Sequence, residues 1–402
     1  MSPPSSSSDT VVRVVHVSDL HISEQLVGST SGRFKLPHRY GHDFQAFTAL
    51  DAFLNTNPWD VLVISGDVSR IGNIDSFLWA KTWIEQTVSV GAASLGLGLA
   101  TKRDRHYVVI PGNHDRFNGQ LKQTTLDEYH QYFPTIRIGT TVTFTFGSTA
   151  VNFHVFDSSD SNRTFAKGKI SGHDLTPRAI TDRSLDIAVL HHHFIQPPNH
   201  RRERHSELTN SQDVSEYMLT TGFDAVFFGH THKSFVAHLP IALITKMFAA
   251  KGHESAFWKY VPRKLVELLS ANTTLDYRRE QTQDGKFPTI ESYFTYLYIR
   301  EVLGQPVTAQ GGFRNVAAFY AHLSTFADRN NLTAEIDALK KRKVLISMAP
   351  SACQAEASRK GFHLFDFAFS GGLLTKIQSS VYELRPGGFQ SVRDASYSLT
   401  VS

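Results

Sequence analysis

The chain has 402 residues, 41% of them hydrophobic, and 41 Lys/Arg against 37 Asp/Glu leave a formal net charge of +4. That is enough to bury a large core in one domain or two, and too weakly basic to mark a nucleic-acid binder by charge alone. A single cysteine, Cys353, excludes a disulfide framework and a cysteine zinc site, and no apolar run approaches the ~20 residues a bilayer span needs.

The first ten residues are rich in Ser and Pro and read as a disordered tail, not a signal peptide. With the lone cysteine they suggest a cytoplasmic protein. Val11–Val17 is strand text and leads into Ser18-Asp19-Leu20-His21. A polar loop follows over Ser23–His42, broken by glycines and carrying His38 and His42. Asp43–Leu54 has helical spacing, with Phe44, Phe47, Leu50 and Leu54 on one face. Val61–Ile64 is a strand delivering Ser65-Gly66-Asp67, and a second helix runs through Phe77, Trp79, Trp83 and Ile84. Gly91–Ala100 reads as a loop. The apolar run from Tyr107 to Ile110 then stops at Pro111-Gly112-Asn113-His114-Asp115, the most specific sentence in the chain. Helical text covers Phe117–Phe133, a hairpin covers Thr141–Phe146 and Val151–Phe156, and a helix is expected at Asp174–Arg183. Ile187–Leu190 delivers His191-His192-His193. A basic loop with Arg201, Arg202 and Arg204 follows, then a short helix at Val214–Thr220. Ala225–Phe228 delivers Gly229-His230-Thr231-His232.

From about Ile241 to Lys343 strand text gives way to helical periods, with 15 Lys/Arg against 10 Asp/Glu. Strand text returns at Val344–Met348, Phe362–Phe369 and Ile377–Leu384. The organisation expected is a tail (1–10), an α/β core (11–240), a helical insertion (241–343) and closing strands of the core (344–402). Seventeen of the 20 histidines precede Pro240, so any imidazole chemistry belongs to the core.

Five apolar runs thus each end in Asp, Asn or His, and ligands of open α/β sheets bind at the carboxyl ends of strands. Asp19 and His21, two apart on extended backbone, would point the same way, and His230 and His232 repeat the spacing. Asp67 has two oxygens with which to bridge two ions, and Asn113 offers a neutral amide oxygen. Carboxylate, amide and imidazole together suit divalent transition metals such as Mn, Fe or Zn. Two ions about 3.5–4 Å apart would activate a water and clamp phosphoryl oxygens.

Asp19-x-His21, Gly66-Asp67, Gly112-Asn113-His114-Asp115, His192 and Gly229-His230-Thr231-His232 resemble the calcineurin-like metallophosphoesterase superfamily, in that family's order, and the pattern is nearest its cyclic-nucleotide phosphodiesterase branch. The resemblance implies two packed mixed β-sheets flanked by helices. It implies that Asp19, His21 and His232 hold one metal, that Asp67 bridges, and that Asn113, His192 and His230 hold the second. A hydroxide between the metals would attack phosphorus, with His114 donating to the leaving or phosphoryl oxygen. The triple histidine leaves a one-residue choice. Setting Phe194 at the family's usual Pro selects His192, with His191 the alternative.

The expected activity is therefore hydrolysis of a small phosphodiester, a cyclic nucleotide included. A nuclease holding its strand with residues 241–343, a phosphomonoesterase and a metal-free scaffold are the competing readings. The diffuse charge of the insertion does not favour nucleic acid. His38, His42, Arg201 and Arg202 are candidates to line the substrate mouth. His16, His154 and His238 carry no motif and read as structural. Oligomeric state is open.

Overall fold

A computed structural model describes residues 9–23, 41–90, 93–117, 124–134, 136–159, 167–176, 178, 180, 184–194, 208–239, 344–355 and 357–398. In chain order the elements are β1 (Thr10–Val17), α1 (Phe44–Thr56), β2 (Val61–Ile64), α2 (Ile74–Glu85), β3 (Val88–Val90), β4 (Ala93–Leu95), β5 (His106–Val109) and α3 (Leu126–Tyr132). There follow β6 (Thr141–Phe146), β7 (Thr149–Val155), β8 (Ser184–Val189), α4 (Ser211–Thr220), β9 (Ala225–Phe228), β10 (Phe235–Leu239), β11 (Val344–Met348), β12 (Gly361–Ser370), β13 (Leu373–Arg385) and β14 (Gly388–Ser398).

The strands form two mixed six-stranded sheets. The first runs β14-β13-β12-β1-β2-β5 and the second β10-β11-β9-β8-β7-β6. In the first, β1, β2 and β5 are parallel and the C-terminal strands antiparallel. In the second, β11, β9, β8 and β7 are parallel. Strands β2, β8, β9 and β11 are buried at every position, as expected of parallel strands covered on both faces. Each Val, Ile or Leu fully withdrawn there contributes about 1.5–3 kcal/mol. The sheets pack face to face: Phe227 stacks on Phe365 at 5.1 Å, and His106 on Phe144 at 4.3 Å. Helix α1 covers the first sheet, with Phe53 against Phe362 and Tyr382. Helix α4 covers the second, with Tyr217 against Phe156 and Phe223.

Local sequence explains the helix starts. Asp43 accepts from the amides of Gln45 and Ala46, and Asn73 from that of Ser76. Such caps satisfy the orphan donors of a first turn. Thr125 and Glu128 form a capping box that starts α3 nine residues later than the helical text at Phe117 suggests. Of the helix expected at Asp174–Arg183, the described residues show none: Asp174 is in a turn, Leu175 in a bend, and Thr176, Arg178 and Ile180 have no regular structure. Pro177, which removes a helix donor, stands inside that stretch. Within the expected loop at Gly91–Ala100, Ala93–Leu95 pairs with Val88–Val90 as a small hairpin. Strands β10 and β14 were not foreseen.

The returning strands belong to the core: β11 pairs with β9 and β12 with β1. Leu239 pairs directly with Val344, so residues 240–343 leave and rejoin the second sheet at one place. The helical insertion expected there lies outside the described residues, as do His38, Arg201 and Arg202. No described helix is long and apolar enough to cross a membrane.

Candidate metal centre and active site

The two sheets deliver the motif residues from opposite sides. Loops after β1, β2 and β5 bring Asp19, His21, Asp67, Asn113 and His114, and loops after β8 and β9 bring His191, His230 and His232. The backbone there is unusual. Asp19, His21, Asp67, His230 and His232 all have φ between 50° and 73°, and they are the non-glycine residues with positive φ among those described. Each such residue costs about 1–3 kcal/mol and persists only where its surroundings over-determine it. Asp19 and His21 therefore converge through two left-handed residues, not through the extended backbone the spacing suggested. Hydrogen bonds impose this path: the Asp19 amide donates to the Gly66 carbonyl at 3.1 Å and the His21 amide to the Asp67 carbonyl at 3.0 Å. Gly66 is itself left-handed, and a Cβ there would overlap the His191 ring, so the motif glycine lets the two sheets approach.

Three overlapping groups of ligand atoms result, each within 4.8 Å: Asp19, His21 and His232; His21, Asp67 and His114; and Asp67, His191 and His230. Asp19 Oδ1 lies 3.1 Å from His232 Nε2, and Asp19 Oδ2 accepts the His230 amide at 3.0 Å. His21 Nε2 lies 3.9 Å from Asp19 Oδ1 and 3.8 Å from Asp67 Oδ2. His191 Nε2 lies 3.1 Å from Asn113 Oδ1, 3.2 Å from His230 Nδ1 and 3.4 Å from Asp67 Oδ2.

The donors fit divalent cations. His21 is fully buried, yet neither ring nitrogen has a hydrogen-bond partner, an arrangement that costs free energy without a ligand. His191 Nδ1 donates to the Ser65 carbonyl at 2.8 Å, since a carbonyl only accepts, so its Nε2 lone pair faces the acceptors of Asn113 and Asp67. Those lone pairs repel unless a cation or proton lies among them. The charges agree. Burial raises the Asp67 carboxyl, but His191, His114 and His21 hold it well below the usual range. Burial lowers His191, but Asp67 and Asp19 bring it up to about 9. Burial, His114 and His232 push His21 down to about 3, against its carboxylate neighbours.

Of the two candidate histidines, His191 groups with Asp67 and His230, while the His192 ring lies 4.4 Å from that of His230 and bonds to Ser158. Ser158 Oγ accepts the amides of His191 at 3.1 Å and His192 at 2.9 Å. With both lone pairs taken, its O–H donates to His192 Nδ1 at 3.0 Å. A neutral His192 then carries its proton on Nε2 and has no lone pair there for a metal. Both histidines lie beyond the end of β8 at Val189, so strand alternation does not decide between them.

His114 is set by two bonds. Its amide donates to Asp67 Oδ1 at 2.8 Å, and Nδ1 donates to the Arg70 carbonyl at 3.0 Å. The Arg70 carbonyl thus fixes the orientation of the ring at the site. His42 packs beside the loop that follows His21. Its Nδ1 accepts from the Ser23 amide at 3.4 Å, its ring lies on Phe47, and burial lowers it to about 4. Sequence reasoning gave no role to Asp115, whose carboxylate accepts from the amides of Gly112, Val68 and Ser69 and so pins the Asp67 loop to the Asn113 loop. Its place in the Asn113-His114-Asp115 motif was the available signal. Ser351, which donates to the Asp19 carbonyl at 2.8 Å, had none.

A two-sheet sandwich whose shared edge gathers Asp, Asn and His is the arrangement of a metal-using phosphoesterase. Residues 12–234 match the calcineurin-like phosphoesterase family, and the chain belongs to that family of hydrolytic enzymes. It is also 24% identical over 241 residues to a probable cyclic nucleotide phosphodiesterase of Coxiella burnetii, covering 56% of this chain and 78% of that protein.

Proposed function

We propose that the protein is a dinuclear metal-dependent phosphodiesterase acting in the cytoplasm on a small phosphodiester, with cyclic nucleotides the first class to test. The observation that carries this reading is the position of Asp67 Oδ2, 3.8 Å from His21 Nε2 and 3.4 Å from His191 Nε2, which sets one carboxylate between the two donor sets. The similarity to a probable cyclic nucleotide phosphodiesterase favours a diester over a monoester.

In this reading Asp19, His21 and His232 would hold one ion, Asn113, His191 and His230 would hold the other, and Asp67 would serve both. Bound Mn, Fe or Zn would supply an activated water and positive charge for phosphoryl oxygens. The protein's own part is to fix its donors before substrate arrives. His191 is locked in one tautomer by the Ser65 carbonyl, and Asp67 Oδ1 is fixed by the His114 amide. His114, with Nδ1 held by Arg70, presents Nε2 to donate a proton to the departing oxygen.

The test is a panel of bis-(p-nitrophenyl) phosphate, p-nitrophenyl phosphate, cyclic nucleotides and single-stranded DNA, assayed with Mn²⁺ and after chelation. Chelator-sensitive hydrolysis of diesters in preference to the monoester is expected. Activity confined to the monoester, or to salt-sensitive DNA cleavage, overturns the substrate class.

A further inference from the structure

Between the sheets, behind the site, lies a continuous polar chain that the proposed chemistry does not use. His16 on β1 contacts Ser65 Oγ through Nε2 at 2.9 Å and Ser347 Oγ on β11 through Nδ1 at 2.7 Å. Ser347 Oγ also contacts His363 Nδ1 on β12 at 2.9 Å, and His363 Nε2 contacts Ser234 Oγ at 2.8 Å. His16, Ser65, Ser347 and His363 are completely buried, and Ser234 is half-buried. The surroundings are apolar: the His16 ring stacks on Phe227 at 4.5 Å, and Phe227 on Phe365. Burying so many polar groups in an apolar interface is favourable only when all are paired.

The chain has a single sense. A neutral imidazole donates once and accepts once, and Ser347 has one hydrogen to give. It therefore donates to one Nδ1 and accepts from the other, and that choice fixes the tautomer of both rings. No link reverses without the rest. The ends are telling. Ser65 stands two residues before Asp67, and its carbonyl receives the His191 Nδ1 proton. Ser234 stands two residues after His232. The chain thus runs from the loop of Asp67 on the first sheet to the loop of His230 and His232 on the second, through residues of β1, β11 and β12.

We propose that Ser65–His16–Ser347–His363–Ser234 is a positioning device that sets the separation of the two half-sites. Its residues touch neither ion nor substrate, and the inference rests on the dinuclear reading above. Three substitutions test it in the full chain loaded with Mn²⁺. Ser347→Ala cuts the chain at its centre. Ser234→Ala removes its half-buried end, where little packing is lost, and Ser234→Thr restores the hydroxyl. Supporting shells of metal sites are typically worth about 10–100-fold in affinity or activity. Ser347→Ala and Ser234→Ala are expected to loosen the second Mn²⁺ by about that factor, to weaken the spin-coupled dimanganese resonance, and to lower kcat more than they raise KM. Ser234→Thr is expected to recover all three. Wild-type protein that shows no coupled pair overturns the dinuclear reading itself. A coupled pair in wild type with unchanged affinity, spectrum and kcat in Ser234→Ala overturns the positioning role, whether or not Ser347→Ala folds.

Discussion

Two buried clusters of histidine and aspartate stand in this molecule, one within the second sheet and one where loops of the two sheets meet, and they differ in how their polar atoms are satisfied. Around β7 and β8, His154 Nε2 bonds Asp186 Oδ1 at 2.7 Å, and its Nδ1 meets Thr141 Oγ1 at 3.0 Å. Ser184 and Asn152 donate to the same carboxylate. Every polar atom of that pair has a partner, and the backbone is ordinary strand. In the other cluster His21 has neither ring nitrogen hydrogen-bonded, and five non-glycine residues are left-handed. Both clusters hold buried imidazole beside carboxylate. What distinguishes the site is unsatisfied lone pairs held on strained backbone, a cost that an ion bound there offsets.

The largest effect is expected from Asp67, which serves both ion positions. Asp67→Ala should reduce kcat/KM to near background and lower metal content, read by elemental analysis of the same sample. Two tightly held ions in that variant would count decisively against a bridging role. Next comes His114, for which general acid catalysis implies a loss of about 10²–10⁴ in rate. His114→Ala should hurt a diester with an alkoxide leaving group more than one releasing p-nitrophenolate, with metal content unchanged. Loss of metal would instead make His114 a ligand.

The histidine pair sharpens the contrast within the site. His191→Ala should cost metal and activity together. His192→Ala should cost about 10–100-fold, as for a supporting residue. Equal metal loss in both variants would mean that the Ser158-bound tautomer does not decide the ligand. At the satisfied cluster the expectation inverts. His154→Ala breaks a buried pair, which typically costs about 3–5 kcal/mol of stability, while kcat/KM of the folded protein stays near wild type. A selective loss of activity there would erase the distinction between the clusters.

The smallest effect is in the acid limb of stability. His42 is lowered to about 4 by burial, so the unfolded chain binds its proton below pH 6.5 while the folded protein resists it until about 4. The stability it contributes is full above pH 6.5 and is lost as pH falls through that window. His42→Asn should make the decline of denaturant midpoint between pH 6.5 and 4 shallower. An unchanged slope would show that His42 already titrates normally.

Much of this was legible because each motif couples a strand to its ligand. Val61–Ile64 before Asp67 and Ala225–Phe228 before His230 read as strands, and they are. The identity of the donors followed from residue type. Geometry beyond the strand ends did not, because residues such as Asp19 and Leu190 have already left the extended repeat. There the path is dictated by tertiary bonds, such as the Asp19 amide on Gly66 and the His191 amide on Ser158, between residues far apart in sequence. The same limit hid the polar chain behind the site. His16 read rightly as structural, but nothing near it in sequence announces Ser347 or His363.

The central claim is that two half-sites from two sheets share one carboxylate. Titrating chelated protein with Mn²⁺, with bound metal counted by equilibrium dialysis and spin coupling followed by electron paramagnetic resonance, tests it most directly. Two ions per chain with a coupled spectrum are expected, both lost together in Asp67→Ala. One ion per chain, or two uncoupled ions indifferent to Asp67, would contradict it.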